Sequence, residues 1–241
     1  MTSEAARQPT RRYLRRPKPI HFPTDRLVPE TTVHMRLRTA LFLIIERELR
    51  GRAFIGSDQF VYWDTTDPKA CLSPDVIVRL GGPLELLPSY KTWVHGAPQL
   101  GIEIVSKTDR RDKSLPKNLE RYRRAGIGEL ARFDPEKPKP LRLWDFSDGN
   151  LVERDLADPE AWRCDALAAY WVVVNDAVLG PMLRVARNAA GTELWVTPDE
   201  AEQAASAARD AERAALEAER AAKDAALARV AELERKLRGE G

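Results

Sequence analysis

Two segments say most about the architecture of this chain: Ser73-Pro74-Asp75-Val76-Ile77-Val78 and Gly101-Ile102-Glu103-Ile104-Val105-Ser106. In each of them one acidic residue, Asp75 or Glu103, is embedded in a run of isoleucine and valine, which is the composition of a buried β-strand. A carboxylate is costly to bury among such residues unless a cationic group meets it. Taken alone, either acid could equally well be a solvent-facing residue on a half-exposed strand. Two such carboxylates on neighbouring strands, however, form a site of hard oxygen ligands, the kind that holds Mg²⁺ or Mn²⁺.

The length, charge and cysteine content limit the class of protein. The 241 residues allow one domain with an appendage or two small domains, and the formal net charge of +2 gives no strongly basic surface over the whole chain. The two cysteines, Cys71 and Cys164, lie far apart and no secretory signal precedes them, so we expect reduced thiols in a cytoplasmic protein. No cysteine or histidine pattern has zinc spacing, and no apolar run is long enough to span a membrane.

We divide the chain into three parts, the first of which is a basic tail at residues 1–25. Arginine and lysine dominate residues 7–18, which contain no acid and are interrupted by prolines. Such a segment cannot bury enough apolar area to order itself. It is explained equally well as an arm that contacts nucleic-acid phosphates and as a solubilising tail.

The central part, residues 26–197, alternates helix and strand signals. A helix is predicted from about Glu30 to Leu49, because Thr31 or Thr32 can cap it and apolar residues recur along it at helical spacing: Val33, Leu37, Leu41, Ile44, Ile45 and Leu49. A second helix is predicted at 116–125. Strands are predicted at 53–55, 60–63, 76–80, 101–105, 130–133 and 141–144, with an irregular connection at 81–99 and a hairpin-like pair at 151–153 and 169–174. This order predicts an α/β fold with a central mixed sheet flanked by helices.

The third part, residues 198–241, is rich in alanine, glutamate and arginine and contains no glycine or proline between Asp199 and Arg238. That composition predicts one long helix. Near its end, four residues repeat at 4-3-4 spacing, as in the seam of a short coiled coil: Ala226, Val230, Leu233 and Leu237. We therefore expect a homodimer through this helix, with a solitary charged helix as the alternative.

The two acidic segments belong to a longer series of motifs. Pro74-Asp75 and Glu103-Ile104-Val105-Ser106 are followed by a lysine-containing helix that ends in Tyr122-Arg123-Arg124-Ala125-Gly126-Ile127. Three further motifs complete the series: Glu129-Leu130-Ala131-Arg132-Phe133-Asp134-Pro135, Leu141-Arg142-Leu143-Trp144-Asp145 and Gly149-Asn150-Leu151-Val152-Glu153-Arg154. In order and spacing these motifs resemble the Uma family, bacterial restriction-endonuclease-like proteins with the PD-(D/E)XK nuclease fold. The resemblance runs from about Ile20 to Glu153, and it favours a shared site over two unrelated acids.

The resemblance implies a restriction-endonuclease-like fold and a metal-dependent endonuclease that hydrolyses DNA with Mg²⁺ or Mn²⁺. It implies that Asp75 and Glu103 hold the metal and that the Ile104 carbonyl is a further oxygen ligand. The metal would neutralise charge on the phosphate and make water nucleophilic. An alternative from another class is a catalytically weakened nuclease fold that acts as a DNA- or protein-binding module, in which the basic tail and the C-terminal helix carry the function.

The lysine that such a mechanism needs is displaced in this chain. Residues 103 and 105 point to the same face of a strand, so an E-x-K strand would have its lysine at position 105, where the chain has Val105. The Uma family usually has the lysine on the following helix, four residues before the tyrosine, and that position is Asn118. Lys117 is the catalytic candidate, if the first turn after Pro116 redirects its long side chain. Lys107 is the rival, and the third alternative is that neither lysine reaches the metal.

Three other residues lie close to this predicted site in the sequence pattern. Glu30 stands at the entrance of the first helix, where nucleases of this type often place an accessory acid, although the helix dipole alone favours a carboxylate there. His34, one turn further on, is expected to be a partly buried surface histidine rather than a ligand. Tyr122 is expected to pack in the core, the alternative being that its hydroxyl orients a group of the site.

Overall fold

The centre of the fold is a six-stranded mixed sheet. In the computed structural model, which describes residues 20–23, 30–106 and 115–239, its strands follow the spatial order β1 (Ala53–Ser57), β4 (Val76–Leu80), β6 (Leu100–Ile104), β7 (Glu129–Phe133), β8 (Leu141–Ser147) and β9 (Asn150–Glu153). β6 and β7 run parallel, and every other neighbouring pair of this sheet is antiparallel. The mixed sheet that the sequence predicts is therefore present. Most of the predicted basic tail, together with Lys107, lies outside the described residues.

One face of this sheet is covered by helix α1 (Thr32–Glu48). Thr31 caps the helix, since its side-chain oxygen accepts a hydrogen bond of 3.2 Å from the backbone N–H of His34. The apolar stripe is buried from Leu37 onwards, but Val33, in the first turn ahead of the residues that pack on the strands, is 46% exposed. The predicted place of Val33 in the core is therefore wrong. The buried stripe packs against one set of strand residues: Val76, Val78, Leu100, Ile102 and Ile104.

The other face is covered by helix α3 (Leu115–Ala125) and by a small sheet in which β2 (Val61–Tyr62) lies between β3 (Cys71–Leu72) and β5 (Tyr90–Lys91). A second core forms here from residues that alternate with the first set along the strands, among them Ile77, Leu130 and Trp144, together with Tyr90, Tyr122 and Ile127. Gly101 lets α3 approach β6 closely, because a Cβ atom at that position would lie 3.1 Å from the Tyr122 ring. Successive residues of the central strands thus face two different cores.

Two predicted connections are wrong. The segment 81–99 is not wholly irregular, since it contains β5 and the four-residue helix α2 (Thr92–His95). Residues 151–153 do not pair with residues 169–174: β9 pairs with β8, whereas a 3₁₀ helix (Pro159–Trp162) leads into a separate sheet of β10 (Arg163–Cys164), β11 (Ala169–Asp176) and β12 (Gly180–Ala186).

The pairing of β11 with β12 has a local cause in the turn that joins them. The Asp176 carboxylate accepts the backbone N–H groups of Val178 and Leu179, both at 2.8 Å, and Gly180 takes a φ of 74°. A short loop that ends in a residue with positive φ reverses the chain tightly enough to form a hairpin. The resulting sheet adds Trp171, Leu183 and Val185 to the core on the α1 side.

The chain ends in helix α4 (Pro198–Leu237), which has 40 residues and is the long helix that the sequence predicts. A capping box between Thr197 and Glu200 fixes its start, and Arg184, only 4% exposed, donates to both carboxylate oxygens of Glu200 at 3.1 and 2.9 Å. No residue of α4 is buried, and the predicted seam lies in solvent, with Val230 51% and Leu233 47% exposed. None of the described helices is both long enough and apolar enough to cross a membrane.

Candidate active site

The two acidic residues of the predicted site meet at adjoining ends of β4 and β6. In this antiparallel pair Val76 lies opposite Ile102, so the next position in the register sets Asp75 against Glu103. Asp75 is 8% exposed, and its Oδ2 accepts a hydrogen bond of 2.6 Å from the backbone N–H of Ile104. This bond fixes the carboxylate where the strand pairing ends. The structure thus brings together Asp75, Glu103 and Ile104, the three residues that were expected to hold a metal.

The partly buried His34 belongs to this cluster. His34 Nε2 is 2.8 Å from the carbonyl oxygen of Ile104 and 3.3 Å from Asp75 Oδ1, and its Nδ1 is 2.9 Å from Glu30 Oε2. The hydrogen bond with Asp75 outweighs the effect of burial and raises the pKa of His34 to about 9. Both ring nitrogens are therefore protonated at neutral pH and donate. His34 is partly buried, as expected, and it also contacts Asp75 because the start of α1 packs against the end of β6.

Glu30 is connected to Asp75 through His34. Its other carboxylate oxygen, Oε1, accepts a hydrogen bond of 2.6 Å from Arg38 Nη2. Burial acts to raise the pKa of Glu30, but the hydrogen bonds from His34 and Arg38 outweigh it and lower the pKa. Arg38 also donates to Ser57 Oγ at 3.2 Å, and Ser57 Oγ donates to the Asp75 carbonyl at 3.0 Å. The acid at the entrance of α1 thus supports the histidine that faces Asp75.

Glu103 is held from the other side by Tyr122 of α3. The Tyr122 hydroxyl donates a hydrogen bond of 2.6 Å to Glu103 Oε2. Burial, reinforced by the negative charge of Glu103, raises the pKa of Tyr122 well above its usual range, so the hydroxyl stays protonated and remains a donor. The Tyr122 ring also belongs to the second core. The expectation that Tyr122 only packs in the core is therefore wrong, since it also orients a carboxylate of the site.

A small cavity of about 60 Å³ adjoins Glu103 and is lined by residues of α3 and of the segment around β3: Leu72, Ser73, Glu103, Asn118, Arg121 and Tyr122. Asn118, the position at which the family resemblance implies a lysine, therefore lies beside the acid. Lys117 is exposed and does not line the cavity. Because α3 is helical from Leu115 onwards, the side chain of Lys117 points about 100° away from that of its neighbour Asn118. The rival Lys107 lies outside the described residues.

The oxygen atoms of this cluster suit a divalent cation. Asp75 Oδ1 and the Ile104 carbonyl converge on one point, where the protonated His34 Nε2 lies against both of them. Because both oxygens contact the same cationic nitrogen, that point favours a positive charge. Mg²⁺ and Mn²⁺ prefer oxygen ligands. Within the described residues, no group of three or more His, Cys, Asp or Glu side chains is arranged to hold a metal. Mg²⁺ commonly binds through one or two carboxylates and completes its shell with water and substrate phosphate, so the residues present fit this ion.

The chain is similar to proteins of solved structure and matches a protein family. The crystal structure of a "putative nuclease belonging to DUF820" from Anabaena variabilis has 15% sequence identity and a TM-score of 0.41, over 67% of this chain and 78% of that chain. None of the curated proteins compared matches the chain. The Uma2 family, described as "Putative restriction endonuclease", matches residues 24–175. This match spans more than half of the chain, so the chain belongs to the Uma2 family, and its mixed sheet has the restriction-endonuclease-like α/β fold that its motifs predict.

Proposed function

We propose that the protein is a metal-dependent endonuclease that hydrolyses phosphodiester bonds of DNA, with Mg²⁺ or Mn²⁺ as its cofactor. The observation that carries the proposal is the convergence of Asp75 Oδ1 and the Ile104 carbonyl on one cationic nitrogen, at 3.3 and 2.8 Å. Glu103 adds a second carboxylate at the adjoining strand position. Membership of a family described as "Putative restriction endonuclease" supports nuclease chemistry and DNA as the substrate.

Asp75, Glu103 and the Ile104 carbonyl would hold the metal, which when bound would neutralise charge on the phosphate and lower the pKa of the attacking water. The chain's own residues keep these ligands in place. The backbone N–H of Ile104 holds Asp75, and the Tyr122 hydroxyl holds Glu103. Ligands that are already oriented need little reorganisation when charge develops during the reaction.

In the reaction a water oxygen attacks phosphorus, the bond from phosphorus to the leaving oxygen breaks, and that oxygen takes up a proton. An ammonium group beside the phosphate would stabilise the charge that develops. We propose Lys117 for this role, because it adjoins Asn118 at the cavity and its exposed side chain is long enough to fold back over the first turn of α3. Lys107 is the alternative.

A second candidate function is favoured by Asn118. This residue lines the cavity beside Glu103 and offers a phosphate no positive charge. On this alternative the protein keeps the nuclease fold, binds DNA or another protein, and cuts slowly or not at all. Metal-dependent cleavage separates the two candidates.

We also propose that two chains associate through the end of α4. The helix carries its exposed apolar residues mainly in its last turns, at Leu227, Val230, Leu233 and Leu237. Such a stripe gains most by packing on a second copy, because the remaining faces of the helix are polar. Two paired active sites are also the simplest means of cutting both strands of a duplex.

A cytoplasmic location completes the proposal. Neither Cys71 nor Cys164 forms a disulfide, and Cys164 is fully buried. Free thiols are typical of proteins from a reducing compartment.

Plasmid cleavage tests the proposed activity. We expect supercoiled DNA to be converted into nicked and linear products with Mg²⁺ or Mn²⁺ and to stay intact with EDTA. The near-isosteric variants Asp75→Asn and Glu103→Gln should each lower the rate by about 100-fold or more, since each removes a charged ligand. Circular dichroism serves as the control for folding. Equal cleavage by the wild type and the double variant would contradict the proposal, and DNA binding without cleavage in any metal would establish the second function.

A further inference from the structure

A row of arginines extends from Glu103 across the main sheet. Arg132 is paired with Glu103 in the parallel strands β6 and β7, and Arg142 is paired with Arg132 in the antiparallel strands β7 and β8. Directly paired residues point to the same face of a sheet, so these three side chains share one face. Their sequence neighbours point the other way, into the core beneath α1: Ala131, Phe133, Leu141 and Leu143. The row therefore lies on the α3 side, where Glu103 meets Tyr122.

Among the described residues, Arg132 has no polar partner for its charge. Its side chain is half-buried, yet no hydrogen bond or ion pair joins its guanidinium to any residue in the described part of the chain. Arg142 differs, because it makes two hydrogen bonds with Glu153, at 2.7 and 2.6 Å, and lies 4.8 Å from the centre of the Trp144 ring. A guanidinium that has no partner among the described residues, at the strand position beside Glu103, is available to an anionic ligand.

A groove of about 440 Å³ opens beside Arg132, where the turn between β7 and β8 leaves the sheet. Four of its lining residues are basic: Arg132, Lys137, Lys139 and Arg142. Asp134 also lines it, but this acid is buried and accepts the backbone N–H of Glu136 at 3.2 Å. The groove continues into a second one of about 540 Å³, which shares Arg142 and residues 138–140. We call the part lined by the four basic residues the basic groove.

We propose that the basic groove binds the sugar-phosphate backbone of the nucleic acid next to the bond that is cut. The inference rests on the proposed endonuclease function and names the surface that the substrate follows. Neighbouring strands are about 4.8 Å apart, so Arg132 and Arg142 lie roughly 5 and 10 Å from the strand of Glu103, within reach of the phosphates beside the reacting one. Cations in a row bind a polyanion well, whereas a protein partner would need apolar anchors at the centre of its contact.

DNA binding in the absence of metal tests this inference. Fluorescence anisotropy of a labelled DNA duplex in EDTA measures the dissociation constant at several salt concentrations. We expect Arg132→Gln to weaken binding about tenfold, since a charge-assisted hydrogen bond is lost. The slope of log K against log salt should fall by about 0.9, the value for one phosphate contact. Arg132→Lys keeps the charge, so it should retain the salt slope and lose only part of the affinity.

Arg50→Gln is the matched control, because Arg50 is exposed just beyond the far end of α1 and its loss removes the same charge. Equal weakening by Arg132→Gln and Arg50→Gln, or no DNA binding by the wild type, would overturn the inference. A third result would also overturn it: polyglutamate binds the wild type more tightly than DNA does, and this binding is lost in Arg132→Gln. The groove would then bind an acidic protein. The assay contains no metal and detects no cleavage. A loss of the proposed nuclease activity and a failure of the basic groove are therefore distinguishable.

Discussion

Tyr122 Oη lies 2.6 Å from Glu103 Oε2, so a side chain from the core beneath α3 orients an acid at the end of β6. The same tyrosine ring packs against Gly101, two residues before that acid. Helix α3 and strand β6 are thus coupled at the site through both packing and a hydrogen bond. Any change in how α3 sits on the sheet will move the Glu103 carboxylate.

We expect Tyr122→Phe to weaken Mn²⁺ binding by roughly tenfold, because Glu103 loses the donor that orients it. The free energy of unfolding should fall by about 1 kcal/mol, the usual net value of one hydrogen bond. Calorimetry with Mn²⁺ and urea denaturation measure the two effects. Tyr90→Phe is the control, since Tyr90 is also buried and its hydroxyl donates to the Gly96 carbonyl at 2.9 Å instead. Equal Mn²⁺ affinities in the two variants would show that Tyr122 does not position Glu103.

Removal of either acid should abolish metal binding without unfolding the protein. Asp75→Asn is the sharpest variant, because its side-chain oxygen can still accept the N–H of Ile104 while the charge is lost. Glu103→Gln likewise keeps an acceptor for the Tyr122 hydroxyl. We expect no heat of Mn²⁺ binding from either variant in calorimetry. An unchanged Mn²⁺ affinity in the folded double variant would rule out this assignment of the ligands.

Three substitutions determine which lysine, if any, acts on the phosphate. If Lys117 acts on the phosphate, Lys117→Ala should remove most cleavage activity and Asn118→Lys should add little. If Asn118 has replaced a working lysine, Asn118→Lys should raise the rate, since this side chain already lines the cavity beside Glu103. Single-turnover rates with saturating Mn²⁺ give the comparison. Loss of activity in Lys107→Ala together with none in Lys117→Ala would transfer the role to Lys107.

His34 makes stability depend on pH in the metal-free protein. Its pKa is raised from 6.5 to about 9 in the folded state. The stabilisation is therefore fully present below pH 6.5 and is lost as the pH rises through 9. We expect the titration of His34 to lower the free energy of unfolding of the wild type by on the order of 2 kcal/mol between pH 6.5 and pH 9. Urea denaturation in EDTA measures this change. His34→Gln should remove this part of the slope, and parallel curves for the two proteins would contradict the expected role of the ion pair.

The association of two chains depends on the last turns of α4. Truncation after Ala208 is preferable to truncation after Thr197, because it retains Glu200, the partner of the buried Arg184. We expect light scattering to give the mass of one chain for the truncated protein and of two chains for the wild type, with the same thermal unfolding of the remaining domain. The double substitution Val230→Glu/Leu233→Glu should have the same effect without truncation. If the number of chains per particle is the same for the truncated and the full-length protein, the helix binds a different partner.

The parts of the site with a local signal were predictable from the sequence. Asp75 directly precedes β4 and Glu103 lies in β6, and the β-branched composition of the two runs predicted these strands. The predicted bounds of β4 agree with the observed Val76–Leu80. The start of α1 and the length of α4 also follow from local chemistry, namely a threonine cap and the absence of helix-breaking residues.

The remaining parts depend on contacts between distant positions, which composition does not encode. His34 contacts Ile104, 70 positions further along the chain, and only the packing of α1 against β6 brings the two together. The place of Arg132 beside Glu103 depends in the same way on the register of a parallel strand pair. Strand β12 was missed for a different reason, since it opens with Gly180-Pro181, two residues that strands usually avoid.

Ile104 contributes to the site through its backbone. Its N–H holds Asp75 Oδ2, its carbonyl faces His34 Nε2, and its side chain is buried in the core beneath α1. Valine or leucine at this position would keep both backbone groups, whereas proline would remove the N–H. A saturation mutagenesis of the chain would therefore find position 104 tolerant of apolar exchange and intolerant of proline. A survey that looks for invariant polar residues would pass over one of the three groups on which the proposed chemistry depends.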